Sequence, residues 1–181
     1  MGKIFDGIDD RLRDWVARQR MFFVGTAPSG AAGHVNVSPK GPIETLRVLD
    51  EHTVAYLDLV GSGAETLAHL RDNGRIVIML CAFEGGPRIV RFHGRGAILD
   101  AGAVDFPGVE VRPEQLRTVI RVDVERIADS CGYGVPRMRY EGERPQMRAW
   151  AERKLAKDPD AIEAYKAEKN ALSIDGLPAL P

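Results

Sequence analysis

Residues 53–83 read TVAYLDLVGSGAETLAHLRDNGRIVIMLCAF, and three periodicities follow one another along them. The first eight residues are β-rich and loosely alternating, which predicts a strand, and Gly61-Ser62-Gly63 ends it. From Ala64 the apolar spacing becomes helical, with Ala64, Leu67 and Leu70 on one face and Asn73-Gly74 as the stop. Ser62 and Glu65 stand in S-x-x-E spacing, so hydroxyl and carboxylate are expected to cap the helix start reciprocally. Residues 75–83 form a nearly continuous apolar run of strand length, expected to lie centrally with both faces covered.

Outward from this unit the pattern stays β. In RIVRFHGRGAIL (88–99), Val90 and Phe92 point one way and Arg91, His93 and Arg95 the other, while Gly94 and Gly96 predict a bend or bulge. TVIRVDVERIAD (118–129) predicts a long strand with one exposed side. Upstream, residues 9–19 predict a short amphipathic helix capped by Asp9 or Asp10, and residues 21–27 a strand. In GHVNVSPKG (33–41) the valines alternate with His34, Asn36, Ser38 and Lys40, so one face of the strand is apolar and the other polar. Beyond Arg144 the composition turns to Ala, Glu, Lys and Arg, predicting helices over 146–157 and 159–172, with SIDGLPALP (173–181) as an extended tail.

Consecutive strands interrupted by one helix favour a closed or nearly closed antiparallel barrel over a doubly wound sheet. The expectation is a single mainly-β domain over 1–181, with a barrel core at about 21–129 and a helical extension at about 144–172.

Composition narrows the function. The 25 Lys and Arg against 26 Asp and Glu give a net charge of −1, which argues against a nucleic-acid-binding surface. Cys81 and Cys131 lack metal-ligand spacing, so no metal site is expected and a reducing compartment is. No secretory h-region and no long apolar run appears, so the expected location is cytoplasmic, without a membrane. Nucleophile-elbow, zincin, Walker and dinucleotide fingerprints are all missing.

What remains is a set of polar clusters with two readings each. GSGAET (61–66) is either a helix cap or, through its free amides with Ser62 and Thr66, a phosphate cradle. Lys40, between Pro39 and Gly41, is a surface lysine or a ligand contact shared with Asn36 and Ser38. Arg88, Arg91, His93 and Arg95 form surface salt bridges or an interface. Cys131, in DSCGYGVPRMRY (129–140), is a packed thiol or a nucleophile.

The order of elements, with GHVNVSPKG, residues 54–83 and RIVRFHGRGAIL, resembles the pyridoxamine 5′-phosphate oxidase-like family of FMN-binding split β-barrels over roughly residues 21–129. The resemblance implies a six-stranded antiparallel split barrel that pairs as a homodimer, with FMN in a groove between subunits. It places His34, Val35, Asn36, Val37, Ser38 and Lys40 along the flavin, with the valines in the barrel core and the polar row toward the cofactor. Ser62, Gly63, Glu65 and Thr66 fall at the phosphate turn, and Arg88 begins the strand that reaches the flavin of the partner subunit. The true oxidases carry an Arg-Lys pair where this sequence has Glu65 and Thr66, which leaves more of the charge to Lys40. Their tryptophan-and-arginine substrate pattern is also missing, so the implied activity is an FMN-dependent oxidoreductase acting on another small molecule. A non-catalytic module binding flavin, F420 or heme is the alternative.

Overall fold

The computed structural model describes residues 2–180. The chain runs β1 (Ile4–Phe5), α1 (Asp10–Ala17), β2 (Phe22–Thr26), β3 (Asn36–Lys40), β4 (Leu46–Val48), β5 (Thr53–Leu59), α2 (Glu65–Asp72), β6 (Arg75–Cys81), β7 (Ile89–Leu99), β8 (Leu116–Ser130), α3 (Gln146–Leu155) and α4 (Ala161–Lys169). All strands join one antiparallel sheet in the order β3-β2-β6-β7-β8-β5-β4, with β1 added on β8. The fold is the mainly-β split barrel with flanking helices. Its path holds seven strands rather than six, and β1 makes an eighth. The two additional strands, β1 and β4, are two and three residues long, too short to show a period in the sequence.

Alternation builds the core. Phe22 and Val24 of β2, Val54 and Tyr56 of β5, Ile78 and Leu80 of β6, and Val90 and Phe92 of β7 all turn inward and are buried together. α1 closes one end with Leu12 and Val16, its start capped by Asp9, which accepts a hydrogen bond from the Leu12 amide at 2.8 Å. α2 contributes Leu67 and Leu70 and ends at Asn73, followed by Gly74 at φ +71°. The glycine signal in β7 is a bulge: the β7–β8 register shifts between His93 and Gly94, and a Cβ on Gly94 would collide with the Asp123 carbonyl.

Four local expectations are corrected. The valines of β3 do not enter the core; Val35 and Val37 are 73% and 65% exposed. The register pairs Thr26 with Asn36, Val24 with Ser38 and Phe22 with Lys40, so the polar row shares the inward face of β2. Period two separates the faces of a strand without saying which one is inside. The capping box does not form: Ala64 is the N-cap of α2, no side chain caps it, and a Glu65 oxygen instead accepts from the Ile174 amide at 3.3 Å. β6 is sealed on one face only, since Val77 and Met79 are half-buried. The tail folds back instead of extending: the Ser173 amide bonds the Leu177 carbonyl at 2.9 Å across a turn with Gly176 at φ +75°. Leu177 and Leu180 then pack on the barrel core and Ala179 is fully buried. α3 and α4 form where their composition indicated and pack with Val60 through Ala151 and Ile162. Among the described residues no helix is long and apolar enough to cross a membrane.

Between α2 and β2 lies one buried titratable group. His69 is fully buried, its Nδ1 lies 2.9 Å from Thr26 Oγ1, and its Nε2 has no partner among the described residues. Burial pushes this imidazole below 6.5, against the opposing pull of Asp175, Glu65 and Asp72. Because the folded value lies below the unfolded one, the contribution to stability is present above about 6.5 and is lost as pH falls through the lowered folded value. His93 shifts the same way, through burial and then Arg126 and Arg91. The thermal midpoint should therefore drop between about pH 7 and about pH 5, and His69→Gln should shrink that drop. An equal drop in the variant would contradict the assignment.

Candidate functional site

Among the described residues, edge strand β3 and strand β5, next to the other edge, do not pair through their backbones; they meet through Asp58. Val54, Tyr56 and Asp58 share the inward face of β5, which places a carboxylate where the strand's pattern calls for an apolar residue. Asp58 is fully buried and accepts from Lys40 Nζ of β3 at 2.8 Å and from Arg117 Nε and Nη2 of β8 at 2.9 and 2.8 Å. Arg117 also donates Nη1 to the Gly63 carbonyl at 2.6 Å, tying the turn before α2 to the same centre. The Arg117 side chain is 3% exposed and that of Lys40 17%, so Lys40 is the cation presented to solvent.

Beside this centre a cleft of about 260 Å³ is lined by Ser38, Lys40, Gly61, Gly63, Arg117 and Met147. It shares Lys40, Leu59 and Met147 with a wider cleft of about 770 Å³, whose far wall includes Tyr140 and Arg144. Behind the cleft the polar row of β3 is closed by hydrogen bonds. Asn36 Nδ2 lies 3.1 Å from both Thr26 Oγ1 and Thr66 Oγ1, and Ser38 Oγ lies 2.9 Å from Asn36 Oδ1.

The tail covers the other side. The His34 amide donates to Asp175 at 2.8 Å, and His34 Nδ1 lies 2.6 Å from the second Asp175 oxygen. These bonds hold the Asp175 carboxyl below its ordinary value. Asn170, fully buried, donates to the Gly61 carbonyl at 2.9 Å.

The structure thus brings Asn36, Ser38 and Lys40 together with Gly63 and Thr66, and joins His34 and Glu65 to the neighbouring tail residues Asp175 and Ile174, while Ser62 makes no side-chain hydrogen bond among the described residues; it turns Val35 and Val37 to the outer surface. Arg88 stands apart from them within this chain. It pairs with Asp129 at 3.2 Å and lies over the rings of Trp15 and Phe5, 5.0 and 5.4 Å from their centroids. Cys81 is buried, which pushes its thiol up, and Cys131 is exposed. Among the described residues no three His, Cys, Asp or Glu side chains converge as metal ligands.

Sequence reasoning missed Asp58, Arg117, Asn170 and Asp175. Asp58 left a signal, a charge on the inward face of a strand; the others meet the site through long-range contacts that no local pattern encodes.

The family model for pyridoxamine 5′-phosphate oxidase matches residues 8–131. The pyridoxamine 5′-phosphate oxidase family protein ustO of Aspergillus flavus is 37% identical over 195 residues, covering 97% of this chain and 77% of that one. Among solved structures, HupZ of Group A Streptococcus is similar at 25% identity and a TM-score of 0.49, over 66% of this chain and 91% of its own. An FMN-binding protein from Syntrophomonas wolfei is similar at 16% identity and a TM-score of 0.47, over 65% of this chain and 82% of its own.

Removing Asp58 leaves Lys40 and a buried Arg117 facing each other without a counter-charge. Asp58→Ala should destabilise the protein by about 3 kcal/mol or more in urea unfolding. A loss below about 1 kcal/mol would mean that the three groups do not act as a buried unit.

Proposed function

This chain belongs to the pyridoxamine 5′-phosphate oxidase family, and from that premise we propose that it is a flavin-dependent oxidoreductase of a small molecule, acting as a cytoplasmic homodimer with FMN as its cofactor. The observation that carries the reading is the cleft at the seam between β3 and β5, where Lys40 presents an ammonium group from a buried carboxylate. With one N–H of Lys40 on Asp58, two remain for carbonyl oxygens of a heterocycle, and Ser38 stands beside them. Leu57, Leu59 and Met147 supply an apolar wall for its rings. The residues therefore fit the ring end of a flavin; the phosphate end meets Glu65, a carboxylate.

A bound flavin supplies the hydride chemistry itself. Lys40 holds a positive charge next to the cleft, which favours an electron-rich ring placed there. Asp58 and Arg117 keep the ammonium in place and fix the turn over 61–63 through the Gly63 carbonyl. No side chain of the chain is required as acid or base.

The outer face supports a dimer. Val37, Gly25 and Val77 form one cross-strand row and Pro39, Phe23 and Met79 the next, an apolar strip reaching from edge strand β3 to β6. Exposed apolar strips of this kind mark association surfaces. A non-catalytic binding module is the second reading, favoured by one observation: the cleft offers Lys40 N–H groups and an apolar wall that hold a ring system, which is all that binding without turnover needs.

Titrating the purified protein with FMN should quench the flavin fluorescence to a stoichiometric end point, and anaerobic NADPH or NADH should then bleach the bound flavin. Binding without bleaching by either donor would favour the module. Binding of F420 or heme but not of FMN would overturn the flavin assignment.

A further inference from the structure

The turn that opens α2 is where the resemblance places a cofactor phosphate, yet the charges gathered around it are mostly negative. Glu65 Oε2 lies against Gly63, close enough that a Cβ there would be 2.7 Å away, and Glu65 Oε1 accepts from the Ile174 amide at 3.3 Å. Asp175 sits beside it on His34, and Asp58 lies beneath, bound to Arg117, which itself holds the Gly63 carbonyl. Three carboxylates, Glu65, Asp175 and Asp58, thus stand against two permanent cations, Lys40 and Arg117. A phosphate monoester would add a further charge of about −1.5 to −2 to this cluster. The half-charge of an eight-residue helix start, already faced by Glu65, does not offset that.

The arrangement is a fixed part of the molecule. Asn170 and Ala179 are fully buried, Asn170 is bonded to the Gly61 carbonyl, and Leu177 and Leu180 pack on the core. The tail lies outside residues 8–131, which match the family model.

We propose that the cleft recognises the ring system of a flavin without reading its terminal phosphate: Glu65, steadied by the tail at Ile174, stands where an anion would bind, and FMN and riboflavin bind alike. This rests on the flavin reading above. Glu65 is then a specificity-determining residue: its charge cancels the advantage a phosphate would otherwise have at this turn, and residues 170–180 hold it in position.

Calorimetric titration with riboflavin and with FMN tests it. The two affinities should agree within about threefold in the parent protein, with FMN binding strengthened by added salt and riboflavin binding unmoved. Glu65→Gln keeps an oxygen for the Ile174 amide, so the tail stays docked and the thermal midpoint is retained. It should raise FMN affinity about tenfold and leave riboflavin unchanged, the size of one charge contact at a partly exposed site. FMN binding a hundredfold tighter than riboflavin in the parent would overturn this inference and leave the flavin reading standing, as would an unchanged FMN-to-riboflavin ratio in Glu65→Gln. Failure of both flavins to bind would overturn the two together.

Discussion

A carboxylate with no exposed surface must be matched in place, and Asp58 is matched by two cations from strands that the sheet order keeps apart. β3 ends the sheet at one side and β5 lies one strand from the other end. Their backbones make no ladder, so Lys40, Asp58 and Arg117 provide the contact that closes the barrel. A purely hydrogen-bonded closure would leave no opening between these strands; a closure made of long side chains leaves a cleft lined by its own charges. Position of the site and closure of the fold therefore have the same cause.

The same centre orders what surrounds it. Arg117 fixes the turn before α2 through the Gly63 carbonyl, and Asn170 fixes it from the other side through Gly61. α2 then sets Thr66 against Asn36 and His69 against Thr26, which turns the polar row of β3 inward. Val35 and Val37 are left on the outside as a consequence. An edge strand with an exposed apolar face is a liability unless something covers it, which agrees with association through that face.

Much of the barrel was legible because its signals are local. The six longer strands, α2 with its Asn73-Gly74 stop and the bulge at Gly94 each follow from a period or a glycine within a few residues. The orientation of β3 was not legible, because alternation separates the valines from Asn36, Ser38 and Lys40 and is silent on which set faces the core. S-x-x-E at Ser62 and Glu65 pointed to a cap, but the carboxylate found a backbone amide more than a hundred residues away. Glu65 and the polar row were visible as candidates; Asp58 was visible as an anomaly; Asn170 and Asp175 become part of the site only through the return of the tail.

Well-packed apolar groups replace a buried ion cluster without loss of stability when all its members are changed together, since none is left uncompensated. That separates the two roles assigned to the seam, closing the barrel and charging the cleft. The most direct measurement is flavin binding by the triple variant Lys40→Met, Asp58→Leu, Arg117→Met, with its thermal midpoint taken alongside. The triple variant should fold with a midpoint near that of the parent and bind flavin about tenfold or more weakly. A folded triple variant that binds flavin as the parent does would contradict the role of the seam in charging the cleft.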